Sequence, residues 1–244
     1  MTGGEAASSE QARALDAAAA QHGVSAPMLM ALAGFQCAAL ARRLLLDTAS
    51  PHGQVSVLVG KGNNGGDALG CARHLSSWGF TVQCLLVATG DQIIAGDLAR
   101  AAAGSGAELR RAGQGELDPA TALTLEHPDL IVDGLLGTGA RGAPRAEVAA
   151  VIQRLNRSSA TVMAIDLPSG LDAETGRVEG DCVRADHTLM LGAAKLGCQS
   201  PGARHWVGRL WLADIGIPAA AYRDCGLLPP DHLGPEPIPL GSWL

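Results

Sequence analysis

The sequence is poor in aromatic residues and in lysine. Aromatics make up 3 % of its 244 residues, so the core has to be assembled from Ala, Val, Leu and Ile. Of 18 basic residues only Lys61 and Lys195 are lysine, and the net charge is −6. No run of Lys or Arg offsets that balance, which excludes a general nucleic-acid binder, because affinity for a phosphate backbone comes from clustered cations. The 6 cysteines form no Cys-x-x-Cys pair, so neither a zinc knuckle nor a disulfide framework is indicated. Reduced, mostly buried thiols of a cytoplasmic protein are expected instead. The opening Met1-Thr2-Gly3-Gly4-Glu5 lacks the basic and apolar regions of a secretory signal. The most apolar stretch, 27–46, contains Gln36 and the pair Arg42-Arg43, which are costly at the centre of a bilayer. It reads as a packed helix, with no membrane partner.

What remains is a globular chain, 47 % hydrophobic, whose 32 glycines carry no collagen-like period. Residues 1–223 are expected to form one domain and 224–244 a proline-rich tail, since 5 of the 13 prolines fall between 229 and 239. That tail is expected as an extended arm, either disordered or packed on a neighbouring subunit. Helical spacing of apolar residues marks 9–22 and 26–46 as an N-terminal helical pair, with Gly23 ending the first and Ser25 capping the second. From residue 55 short apolar runs (55–59, 81–87, 129–133, 161–166, 187–191, 208–214) alternate with helical stretches (67–78, 92–104, 145–157). That alternation predicts an α/β fold, with a mostly parallel central sheet covered by helices on both faces.

In such folds ligands bind beyond the carboxyl ends of the strands, so the residues that follow each apolar run carry the functional information. The first run leads into Gly60-Lys61-Gly62-Asn63-Asn64-Gly65-Gly66-Asp67, whose 4 glycines let backbone amides approach an anion at a helix N-terminus. A nicotinamide dehydrogenase would also need an acidic residue at the end of the next strand for the ribose hydroxyls. Leu85-Leu86-Val87-Ala88-Thr89 supplies none, and that function is disfavoured. The second end is Asp133, followed by Gly137-Thr138-Gly139-Ala140-Arg141-Gly142, where the arginine offers a planar fork for phosphate. The third is Asp166-Leu167-Pro168-Ser169-Gly170-Leu171-Asp172, in which Pro-Ser-Gly forces a sharp turn. Each of these ends also reads as a simple turn or helix cap. Taken together, carboxylates and amides gathered in one cleft repel unless a cation, a proton or a ligand hydroxyl relieves them. A cation site with oxygen ligands from Asn64, Asp133 and Ser169 is inferred, with Asp166 as a free acid/base carboxylate. All-oxygen shells suit hard cations, and clustered His and Cys for zinc or iron are absent from the sequence. Lys195, in a glycine-containing loop, reads equally as a general acid, a phosphate contact or a solvated lysine.

These residues resemble the NAD(P)H-hydrate epimerases, the YjeF N-terminal domain family. The resemblance rests on Val57–Asp67 with Ala72-Arg73-His74-Leu75, on Val132-Asp133 with Gly137-Thr138-Gly139, and on Asp166–Asp172. It continues through Ala185-Asp186-His187-Thr188, Ala193-Ala194-Lys195 and Asp214-Ile215-Gly216-Ile217-Pro218. It implies a Rossmann-like three-layer α/β/α sandwich and the repair of hydrated nicotinamide cofactors, NADHX and NADPHX, in which water has added to the ring. A partner dehydratase accepts only the S epimer at ring carbon 6, and the epimerase interconverts R and S. By the family pattern Asn63, Asn64, Gly65, Gly66 and Asp67 contact the substrate. So do Gly137, Thr138, Gly139, Ala140, Arg141, Gly142 and Ala143. Asp166 lies near the reacting ring, and potassium is held by Asn64, Asp133 and Ser169. Asp166 is the expected acid/base group, with Lys195 as a second catalytic candidate.

Two departures from the family pattern stand out. Met30-Ala31-Leu32-Ala33-Gly34 replaces a Met-Glu-Asn-Ala-Gly-like segment, and Ala68 replaces a glycine. If the second helix lines the cleft, loss of that carboxylate and amide favours an alternative, a catalytically weak nucleotide-binding or scaffold protein. Many relatives continue into a dehydratase domain, so the dehydratase is expected to act in trans. A homodimer is expected from the long apolar helix 26–46.

Overall fold

A run of alternating valines opens the sheet. In the computed structural model, which describes residues 6–47, 50, 52–87, 96–112, 127–231 and 234–240, Val55, Val57 and Val59 lie on β1 (Gln54–Val59). The strands that follow are β2 (Thr81–Leu86), β3 (Glu108–Arg111), β4 (Leu130–Gly134), β5 (Thr161–Ile165), β6 (His187–Leu191), β7 (Arg209–Ala213) and β8 (Ile238–Pro239). They form one sheet in the order β3-β2-β1-β4-β5-β6-β7-β8. The first seven run parallel, and β8 pairs antiparallel with β7.

The helices are α1 (Ser9–Gln21), α2 (Ala26–Asp47), α3 (Asn63–Ser77), α4 (Gly96–Gly104), α5 (Ala146–Leu155), α6 (Arg204–Val207) and α7 (Ala219–Asp224). Side chains alternate across a strand, so Val55, Val57 and Val59 meet α2, α3 and α4 on one face. Leu58 meets Val151, Ile152 and Leu155 of α5 on the other. The three-layer α/β/α architecture predicted from the alternation of elements is the one observed. Few aromatics are needed to fill it: Trp211 is the largest fully buried side chain.

The helical pair forms as expected, and the turn between α1 and α2 contains Gly23 at φ +86°. By length and composition α2 is apolar enough to cross a membrane, but 56 % of its most apolar window is buried inside the fold. It is held against α3 by two glycines, since a Cβ on Gly34 would stand 2.7 Å from the Gly70 Cα.

Four features depart from the expectations. Helix α3 begins at Asn63, ahead of the expected residue 67, so the Asn-Asn-Gly-Gly-Asp segment is the first turn of a helix rather than a loop. Tertiary contact overrides the low helix propensity of Gly65 and Gly66. Strand β3, Glu-Leu-Arg-Arg, is a polar edge without an apolar run, and α7 is a single turn and a half beyond Pro218. The proline-rich segment returns to its own chain: Ile238 pairs with Leu212, and Leu240 N donates to Leu210 O at 3.0 Å. That part of the tail is therefore neither disordered nor lodged on a neighbour. Of the helix expected over 92–104, residues 92–95 lie outside the described residues, and Gly96–Gly104 is helical.

Candidate functional site

The order of the strands fixes where a ligand can bind. From β1 the chain winds through α3 to β2 on one side, while β4 and β5 continue on the other, so a crevice opens at the carboxyl ends of β1 and β4. Gly60 closes β1 and donates its N–H to Gly134 O at 3.0 Å. A Cβ on Gly60 would stand 1.8 Å from Leu135 O, and one on Gly65 would stand 2.0 Å from Gly60 O. Only glycine lets the two strand ends and the start of α3 approach this closely. The N-cap Gly62 supplies no side-chain hydrogen bond, which leaves first-turn amides of α3 open to an external acceptor. Ala68, the departure within this segment, fits with its methyl against Gly134 and is fully buried.

The crevice is a cleft of 490 Å³. One rim is Lys61, Gly62, Asn63, Asn64 and Asp67; the other is Leu135, Leu136, Gly137, Thr138, Gly139 and Ala140. Asp166 and Lys195 lie between them, and Leu29, Met30 and Ala33 of α2 form an apolar wall with Ile215 and Ile217. Gly65 and Gly66 are buried beneath the rim as packing positions. Arg141, Gly142 and Ala143, expected as contacts, fall outside the lining. Arg141 Nη1 donates to the Thr138 and Ala140 carbonyls at 2.8 Å each, so the guanidinium expected to clamp an anion braces its own loop. Ala143 packs instead toward Gly180. Ala31 and Leu32 are exposed and absent from the lining, so the family's Glu and Asn positions are not where this cleft is walled.

Sequence reasoning missed the contribution of α1. Ala7 N donates to Ala194 O at 2.7 Å and Leu196 N to Ala7 O at 3.2 Å, which ties the start of the chain to the Lys195 loop. Helix α1 is thereby held over the cleft and brings Arg13 and Asp16 to its lining. Nothing in the Ala-rich pattern of α1 distinguishes Asp16 from a solvated helix residue.

Asp166 is the one non-glycine residue with positive φ, +66°, among those described. Such a conformation persists only where its surroundings impose it, and it concentrates at functional sites. Here Asp166 N donates to Leu189 O at 2.7 Å, and Oδ1 accepts from Leu191 N at 3.2 Å. Lys195 Nζ stands 2.5 Å from the same Oδ1 and also donates to Leu191 O at 2.7 Å and Ala193 O at 3.0 Å. Three acceptors use all three donors of an ammonium. Lys195, only 4 % exposed, is therefore no solvated loop lysine, and it retains no free donor for a phosphate or a leaving group. It fixes Asp166 and leaves Oδ2 without a partner among the described residues.

Two further carboxyls face this pair. Burial, and then the charges of Asp166 and Asp16, push Asp67 well above the ordinary carboxylate range, while Lys195 acts in the opposite sense. Asp16 is pushed up by burial, pulled down by Lys195 and pushed up by Asp166.

Beneath the rim the three expected cation ligands converge around one backbone carbonyl. Asn64 Nδ2 donates to Leu136 O at 2.9 Å, and Ser169 Oγ accepts from Leu136 N at 2.9 Å. Ser169 also donates to Asp133, from Oγ at 2.6 Å and from N at 2.8 Å. Asp133 and Ser169 are fully buried. Burial raises the Asp133 carboxyl, and the hydrogen bonds from Ser169 and Leu135 offset part of that rise. Among the described residues no Lys or Arg pairs with Asp133. Groups of three His, Cys, Asp or Glu suited to a metal are also absent among them.

A second cavity, 480 Å³, opens at the opposite end of the sheet near Asp129, Arg154, Arg157 and Thr161. It contains none of the motif residues.

Known proteins resemble this chain in sequence and in fold. The family model for the YjeF-related protein N-terminus matches residues 26–197. The chain is 38 % identical over 184 residues to an NAD(P)H-hydrate epimerase of Rhodopirellula baltica, covering 73 % of this chain and 72 % of that one. It is 36 % identical over 217 residues to an NAD(P)H-hydrate epimerase of Pirellula staleyi, covering 87 % and 92 %. It is also 40 % identical over 169 residues to a bifunctional NAD(P)H-hydrate repair enzyme Nnr of Moorella thermoacetica, but covers only 32 % of that longer protein. The crystal structure of yeast ynu0 superimposes with a TM-score of 0.83 at 21 % identity, covering 97 % of this chain and 100 % of that one, and so shares the fold. The protein whose strand ends build this cleft belongs to the YjeF-related N-terminal domain family.

Proposed function

We propose that this protein is an epimerase that interconverts the R and S forms of hydrated NADH and NADPH, as its curated relatives are named for doing. The observation that carries the reading is Asp166: a residue at positive φ whose carboxylate has one oxygen tied to Lys195 and the other without a partner among the described residues, in a cleft of 490 Å³ at the sheet's switch point. The open amides of α3 suit the dinucleotide's pyrophosphate, and the apolar wall of α2 suits a nicotinamide ring from which bulk water is kept. At ring carbon 6 the ring nitrogen's lone pair expels the hydroxyl, and water returns on the opposite face. Asp166 Oδ2 is positioned to exchange a proton with the oxygen that leaves or enters.

Potassium is the proposed cofactor, held by Asn64, Asp133 and Ser169. What supports it is the donor set, a buried carboxylate without a cationic partner next to amide, hydroxyl and carbonyl oxygens, which fits a hard monovalent ion. An ion held by these residues would supply positive charge beside the buried Asp133 carboxylate. The alternative of a weak scaffold protein drew on Ala31 and Leu32, and neither lines the cleft. The free cysteines, five of them buried, suit a cytoplasmic location, and the exposed Met28, Leu32 and Phe35 of α2 suit the proposed homodimer. The S epimer is consumed by a dehydratase, for which this protein supplies substrate.

The test is conversion of purified R-hydrate of NADPH to the S form, followed by chromatography, in potassium and then in sodium. Conversion well above the spontaneous rate is expected, faster in potassium. A folded protein that binds the dinucleotide without accelerating conversion refutes the proposal.

A further inference from the structure

Epimerisation makes two opposite demands on protons. The departing hydroxyl must receive one, and the water that enters on the other face must lose one. The geometry points to Asp67 as the general acid of the site, with Asp166 as its base, an assignment that rests on the epimerase reading above. Asp166 has an ammonium partner, Lys195 Nζ at 2.5 Å, whereas among the described residues nothing donates a hydrogen bond to the Asp67 carboxyl or pairs with it as an ion. Asp67 is 8 % exposed, and what exposure it has is into the cleft whose rim it forms. The titratable and charged groups that act on it come from each neighbouring element, Asp166 after β5, Lys195 after β6, Asp16 on α1 and Cys37 on α2, while Lys61 and Arg13 line the same cleft. Burial and two of these carboxylates favour the neutral acid at Asp67. A buried carboxyl without a cationic partner beside one held by an ammonium supplies an acid and a base to the same cleft.

The step balances without any further reactant. The C6–O bond breaks as the nitrogen lone pair forms a C=N bond, and the Asp67 proton passes to the oxygen, releasing water and leaving Asp67 as carboxylate. A water on the opposite face then forms the new C6–O bond, the C=N pair returns to nitrogen, and the water's proton passes to Asp166. The reverse epimerisation starts from that state, and proton exchange with solvent resets it.

The test compares the wild type with Asp67→Asn, Asp67→Glu and Asp166→Asn for conversion of the R-hydrate of NADPH across a pH series, with NADP⁺ binding measured in parallel. Asn is close to isosteric with the protonated Asp carboxyl and is likewise uncharged, so Asp67→Asn is expected to fold. Its kcat is expected to fall by about 10²- to 10⁴-fold with NADP⁺ affinity retained, the size of one general-acid contribution. The alkaline decline of the wild-type rate, where the acid ionises, should vanish in Asp67→Asn, and Asp67→Glu should regain part of the rate. An infrared band of a protonated carboxyl at neutral pH, lost in Asp67→Asn, is the readout independent of turnover. An active wild type with Asp67→Asn at unchanged kcat, or with only KM raised, overturns the acid assignment alone. A wild type without conversion overturns the epimerase reading, and the assignment with it.

Discussion

Replacing Lys195 by methionine keeps the volume of the side chain and removes its charge. In the folded protein the Lys195 side chain is 5 % exposed and its Asp166 partner 13 %, so the pair is largely out of water. Removing one member of a buried pair leaves the other charge uncompensated, a loss of about 3–5 kcal/mol. The Leu191 and Ala193 carbonyls lose their donor as well. Against a native stability of about 5–15 kcal/mol such a loss is large. At about 2–4 °C per kcal/mol for a chain of this size, Tm should fall by about 6–20 °C. Thermal and urea unfolding of the wild type, Lys195→Met, Asp166→Asn and the double variant complete a cycle. Asparagine tolerates the positive φ of residue 166, so the cycle isolates the charge interaction, and a coupling of about 0.5–3 kcal/mol is expected. Turnover by Lys195→Met should fall along with stability, because Asp166 Oδ1 loses its anchor. Destabilisation below about 1 kcal/mol, as for an exposed ion pair, with turnover intact would refute this account of Lys195.

Two other outcomes follow from the site. The Asp67 carboxyl is raised in the folded state, first by burial and then by Asp166 and Asp16, so the native protein holds that proton to higher pH than the unfolded chain. The associated stability is complete below the unfolded value of about 3.9 and is lost as pH rises through the folded value. Asp67→Asn is therefore expected to gain about 1–3 kcal/mol at neutral pH and little in acid, which urea melts across pH would measure. Restoring the family segment with Ala31→Glu and Leu32→Asn should leave KM for the hydrate unchanged, because both positions are exposed and outside the cleft; a large fall in KM in steady-state assays would place them at the substrate.

The parallel sheet and the three strand ends were legible because buried parallel strands read as apolar runs, and the residues that break the runs are glycine, asparagine and aspartate. Strand β3 was not, since an edge strand made of Glu108, Leu109, Arg110 and Arg111 carries no such run. The start of α3 was misplaced because glycine is a poor helix former. What puts Gly65 in a helix is the approach of Gly60, a contact between residues that sequence alone does not bring together. The three residues of the proposed cation site, Asn64, Asp133 and Ser169, could be named from strand ends. Asp16 could not, because its place over the cleft depends on Ala7 pairing with the Lys195 loop, nearly the whole chain away. Lys195 was ambiguous for the same reason: glycine-containing loops are usually wet, and only the fold shows this lysine buried.

The two residues of β8 have a bearing on how this chain meets other chains. A parallel sheet ending at β7 would expose a row of amides and carbonyls, a template on which any extended peptide can assemble. The last described residues cover that row where Ile238 and Pro239 lie beside Leu212 and Trp211, and the covering strand is too short to serve as a template itself. Pro237 and Pro239 have no N–H to offer a further strand. The prolines that make the tail look unstructured in sequence thus act as a terminator, and self-association by extending the sheet is blocked at this edge.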